Sequence, residues 1–177
     1  MIFPLRKNRD GGYTLTEMLI TIGLMTMLLL LIVDTSLSIA RSHKRAQKYL
    51  EMNASAMGAF SRFSRDIRRA SSVDTVNSTL GASSGKLVLN MKKSDGTNDV
   101  TTFYLDGDRV KEVYNGVARG DITPGPVNVS NLTFRLFEDA TTTAVRVEFT
   151  VAPDDINLDI PAVNFYSTYV LRGSYTN

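Results

Sequence analysis

The spacing of apolar residues changes character twice along this chain. From Leu15 to Val33 the only charged residue is Glu17, and Met27 to Val33 is apolar without interruption. A run with no polar face predicts a helix surrounded by hydrocarbon, not one lying on a protein surface. Tyr13 to Val33 is 21 residues long, and at about 1.5 Å per residue it matches the roughly 30 Å hydrocarbon thickness of a bilayer. Beyond it, apolar residues recur every three or four positions at Ala46, Leu50, Ala54, Met57, Phe60, Phe63, Ile67 and Ala70, which predicts an amphipathic helix to about Ser71. No proline lies between Ile39 and Ala70, so a single helix can join the two segments. Gly58 weakens that helix by about 1 kcal/mol relative to alanine. Asp66, four residues after Arg62 and three before Arg69, predicts a solvated, ion-paired face.

The period then changes to two. Short runs rich in Val, Thr, Tyr and Phe predict strands at Lys86 to Met91, Val100 to Asp106, Arg109 to Tyr114, Leu132 to Phe137, Ala144 to Val151 and Phe165 to Leu171. Asp106-Gly107-Asp108 reads as a hairpin turn, and Ile122 to Val127, with Pro124-Gly125-Pro126, reads as a loop. One long helix followed only by strands predicts an α+β fold with a mostly antiparallel sheet.

Charge adds a second division to the chain. The first twelve residues carry Arg6, Lys7 and Arg9 against Asp10, residues 41 to 69 carry eight basic and two acidic residues, and residues 70 to 177 carry nine basic and thirteen acidic. A basic stalk therefore precedes an acidic head. The basic residues are not interleaved with exposed aromatics and the head is not basic, so direct nucleic-acid binding is not expected. With three basic residues before the apolar run and Arg41, Lys44, Arg45 and Lys48 after it, the positive-inside rule is close to a tie. The absence of cysteine excludes disulfides and thiolate metal sites.

Glu17 is the chemical anomaly. A lone carboxylate in hydrocarbon costs about 2 to 4 kcal/mol, so a partner must offset it. The surrounding Gly11-Gly12-Tyr13-Thr14-Leu15-Thr16-Glu17, behind a short basic leader, resembles the class III signal of type IV pilins and type II secretion pseudopilins. Tyr13 stands where Phe is usual, and Asp34 where major pilins commonly carry a kinking proline. Farther on, Phe63 to Ala70, Val129 to Phe134, Ala144 to Phe149 and Tyr169 to Arg172 are similar to J-type minor pseudopilins and PilW-type minor pilins. The resemblance implies a leader at 1–12, a membrane and assembly helix at 13–38, a stalk helix at 39–71 and a β-rich head at 72–177. It also implies a prepilin peptidase that cuts between Gly12 and Tyr13 and methylates the Tyr13 amine, and an assembly contact between Glu17 and the amine of a neighbouring subunit. The implied partners are other minor and major subunits, an inner-membrane assembly platform and the bilayer, with the head outside the cytoplasm. The implied role is to initiate or cap a fibre, and retention of Glu17 places the subunit beneath the tip. A major pilin, a pilus-borne adhesin and a permanently anchored binding or sensor protein are the alternatives.

Catalysis finds little support in the sequence. His43, the only histidine, lies among Arg41, Lys44 and Arg45 and reads as solvated, and no nucleophile, phosphate loop or paired-histidine motif occurs, so a non-enzymatic protein without a cofactor is expected. Two acidic clusters, Asp95 with Asp99 and Asp154 with Asp155 and Asp159, offer oxygen ligands suited to calcium, although neither fits an EF-hand and both suit ordinary turns.

Overall fold

The computed structural model describes residues 12–93, 97–155 and 160–172. Backbone contacts divide the chain into two units between Lys44 and Arg45. A helix, α1, spans Leu15–Arg69, 55 residues, ending two residues before the expected Ser71. Thr14 caps its start: the Glu17 N–H donates to Thr14 Oγ1 at 3.3 Å, and the Met18 N–H donates to the Thr14 carbonyl at 3.1 Å.

In the first unit every described side chain from Gly12 to Lys44 is exposed, and the helix is long and apolar enough to cross a membrane, with a mean hydropathy of 2.2 in its most apolar stretch. Four of its hydroxyls bond back to the helix itself. Thr21, Thr26 and Thr35 each donate to the carbonyl four residues earlier at 2.7 Å, and Ser36 does so at 2.8 Å. A single-pass membrane anchor is compatible with this arrangement.

In the second unit the remaining turns of α1 pack on two antiparallel sheets, confirming the α+β class. The first sheet is a meander of β1 (Ser72–Val73), β2 (Lys86–Lys92), β3 (Asn98–Asp106), β4 (Arg109–Tyr114) and β5 (Val117–Asp121). The second is a meander of β6 (Val127–Glu138), β7 (Thr143–Pro153) and β8 (Val163–Val170). The two sheets meet where the segment before β2 lies along β6. There the Gly81 N–H donates to the Phe134 carbonyl at 2.8 Å and the Gly85 N–H to the Leu132 carbonyl at 2.7 Å. A Cβ on Gly85 would sit 3.0 Å from the Leu132 carbonyl oxygen and 3.1 Å from the Phe134 ring, so a side chain there would press on both.

The buried stripe of α1 is Met52, Ala56, Ala59, Phe63 and Ile67, with Ser55 and Asp66 beside it. This corrects the expected stripe. Leu50 and Met57 are 69% and 62% exposed, because the sheets select the neighbouring line of small residues, which lets backbones approach closely. Phe63 occupies the centre. Its ring lies 4.9 Å from that of Phe103 on β3, 5.9 Å from Phe134 on β6 and 6.3 Å from Phe149 on β7, so one residue joins the helix to both sheets. Phe60 extends the cluster to Phe149 and Phe165.

Besides the short β1, which was also not expected, two features of the sheets differ from expectation. β5 was not anticipated, and it forms because Asn115 and Gly116 both adopt positive φ, 49° and 80°, the backbone of a tight two-residue hairpin. β6 is longer than expected because a bulge between Ser130 and Thr133, with Asn131 at φ 54°, joins two stretches whose alternation is out of phase. Val127 and Val129 point inward before the bulge, Leu132 and Phe134 after it.

Replacing Phe63 with alanine is expected to destabilise the second unit by about 3 to 5 kcal/mol, and Gly85→Ala by about 1 to 3 kcal/mol through overpacking. Urea unfolding of the detergent-solubilised chain, followed by near-ultraviolet circular dichroism, measures both.

Candidate functional site

Two places in the chain gather chemistry, one in each unit. The first is the amino-terminal junction. Gly12, Tyr13 and Thr14 precede the helix in non-helical backbone and are exposed, Tyr13 at 79%. The cut expected between Gly12 and Tyr13 therefore falls in an accessible, unwound stretch. Glu17 follows in the first turn of α1, where the positive end of the helix dipole favours a carboxylate. Its carboxylate makes no ion pair among the described residues. Thr14 and Glu17 stand at the spacing of a capping box, Thr-Leu-Thr-Glu, a local signal that explains why the helix starts here. The leader itself, with Arg6, Lys7, Arg9 and Asp10, lies outside the described residues.

The second place is a polar cleft of about 400 Å³ between the last turns of α1 and the ends of β2 to β5. Arg62, Arg65 and Arg69, at spacings of three and four, project from one side of the helix; Lys92 ends β2 and Lys93 follows it, and Arg119 comes from β5. Sequence reasoning missed this cluster because it missed β5, although Asn115-Gly116 carried the hairpin signal that would have placed Arg119 against Tyr114.

Three buried carboxylates stand among these cations. Asp66 is 4% exposed and accepts a hydrogen bond from Arg65 Nε at 3.0 Å, so it is not on the solvated face expected from its Arg62 and Arg69 spacing. Glu112, 1% exposed, lies 3.6 Å from Arg62 and 3.3 Å from Arg119. The Arg119 guanidinium also covers the Tyr114 ring at 3.8 Å. Asp99 accepts from Asn115 Nδ2 at 2.7 Å and from the Tyr114 hydroxyl, and pairs with Lys93 at 2.8 Å. Those partners, Lys93 first, hold the Asp99 carboxyl down to about 2. The same hydrogen bond pushes the Tyr114 hydroxyl up.

The calcium candidates separate. Asp99 has both oxygens committed to protein donors, and Asp154 pairs with Lys48 at 3.4 Å, while Asp95 and Asp159 lie outside the described residues. Among the described residues no three His, Asp or Glu side chains gather as a metal site. His43 is exposed on α1.

No family model, curated protein or solved structure matches this chain.

Asp99 generates a pH prediction. A carboxyl whose folded value lies at about 2 against an ordinary 3.8 contributes stability that is present above 3.8 and is lost as pH falls through about 2. Asp99→Asn is expected to be less stable at neutral pH and to show a shallower loss between those values. Thermal unfolding across that acid range compares the slopes.

Proposed function

We propose that the chain is a non-enzymatic minor pilin or pseudopilin, made as a precursor, cut between Gly12 and Tyr13 by a prepilin peptidase, and assembled through its apolar helix beneath the tip of a type IV pilus or secretion pseudopilus. The observation that carries this reading is the junction. An exposed, unwound Gly12-Tyr13 bond stands immediately before a capped helix whose apolar surface is uncovered all round, with one carboxylate in the first turn.

Physical chemistry gives each part a task. The uncovered helix packs beside helices of neighbouring subunits in or out of the bilayer, and in the second unit Leu50, Ala54 and Met57 are left exposed for contacts of their own. Cleavage creates a positive amine at Tyr13. In a low-dielectric setting a neighbour's amine attracts Glu17 far more strongly than in water, and loss of either charge strands the other at a cost of about 3 to 5 kcal/mol. The helix cap does not compete for the carboxylate, because Thr14 Oγ1 is bonded to the backbone N–H of Glu17. The inner-membrane assembly platform and other subunits are the partners this mechanism requires, with the head outside the cytoplasm.

Amino-terminal mass spectrometry of the membrane-extracted protein tests the processing step. A mature chain beginning with methylated Tyr13 is expected, whereas an intact leader in cells containing the peptidase would point instead to a permanently anchored binding protein. Glu17→Gln keeps the cap and removes the charge, so it should be cleaved normally yet fail to co-purify with fibre or minor-subunit complexes. Co-purification at the level of the unaltered chain would defeat the pairing.

A further inference from the structure

Among the described residues, the polar cleft in the second unit carries more positive charge than its own architecture uses. Six basic side chains, Arg62, Arg65, Arg69, Lys92, Lys93 and Arg119, face three carboxylates, Asp66, Asp99 and Glu112. Arg62, Arg65, Lys93 and Arg119 are engaged with those carboxylates, whereas Arg69 and Lys92 are exposed and make no ion pair among the described residues. The end of α1 contributes roughly half a negative charge, too little to balance the excess. The engaged cations are also reachable, since Arg62, Arg65, Lys93 and Arg119 keep between 44% and 47% of their side-chain surface exposed.

We propose that this cleft is a docking site for an acidic peptide segment of a partner protein, whose carboxylates pair with Arg69, Lys92 and the outer edges of the other guanidinium groups. This inference stands independently of the assembly reading. Two observations select a peptide over a free polyanion. The cations sit at the carboxyl end of a helix, whereas phosphate cradles use backbone N–H groups at the amino end. The lining also includes Met91 and Tyr114, an uncharged part of the wall beside the cations. Charge complementarity reinforces the choice: residues 70–177 hold thirteen acidic residues against nine basic, of which Lys92, Lys93 and Arg119 are gathered at this one cleft.

The test uses the full chain in detergent micelles and a fluorescently labelled, Glu- and Asp-rich synthetic peptide, with its Gln and Asn counterpart as control, read by fluorescence anisotropy. The acidic peptide is expected to bind, the amide control not, with affinity falling about tenfold or more as salt rises from about 0.05 M to about 0.5 M. Arg69→Glu with Lys92→Glu is expected to abolish binding, and the milder Arg69→Gln with Lys92→Gln to weaken it about tenfold while leaving the circular dichroism spectrum unchanged. Equal binding of the two peptides, or binding unaffected by the Gln pair, would overturn the proposal. Saturable binding of tripolyphosphate or an oligonucleotide in place of the acidic peptide would overturn it too, in favour of a free or nucleic-acid polyanion.

Discussion

The second unit is organised around the contact of one ring, Phe63, with three others on two different sheets. Helix, first sheet and second sheet each lack a complete core of their own: the first offers Leu87, Leu89 and Phe103, the second Phe134, Val147 and Phe149, and α1 supplies the residues between them. Ser55, Ala56 and Ala59 must then be small, because a bulky residue one or two turns before Phe63 would hold the helix off the sheets. The cleft inherits its geometry from the same contact. Arg62 and Arg65 are within three residues of Phe63 on α1, so fixing the ring fixes where the guanidinium groups stand over β2 to β5.

Buried charge is the cost this arrangement carries. Glu112 and Asp66 are almost wholly withdrawn from water, and Glu112 is compensated by arginines from two different elements, Arg62 on α1 and Arg119 on β5. A buried pair of this kind contributes little net stability, but removing one member leaves the other uncompensated. The Glu112 contacts therefore act mainly to specify where β5 and the helix end sit relative to one another. Asp99 repeats the pattern at the other rim, with Lys93 just after β2 and the consecutive Tyr114 and Asn115 at the end of β4.

How much of this was legible in the sequence follows from which signals are local. The apolar run, the amphipathic helix and most strands were readable because their periods are internal to each segment. The bulge at Asn131 was not, since a one-residue phase shift breaks a single strand into two unrelated alternations. The buried line of α1 was not, because Leu50, Ala54 and Met57 satisfy the helical period as well as Met52, Ala56 and Ala59 do, and only the sheets choose between adjacent lines. Asp66 looked solvated because its i−4 and i+3 arginines fit an exposed face. The cleft was invisible for a related reason: its residues come from α1, β2, β3, β4 and β5, and nothing local brings Arg119 to Arg62.

The back-bonded hydroxyls of the first unit have a consequence for how that helix recognises anything. With Thr21, Thr26, Thr35 and Ser36 each turned onto the carbonyl one turn earlier, the membrane-length segment offers its surroundings almost no directional valence. Rotation about its own long axis changes the profile of bumps and hollows that it presents, with Gly23 as the one notch, but hardly its polarity. Azimuthal choice among neighbours thus falls to steric fit along the shaft and to its two carboxylates, Glu17 and Asp34.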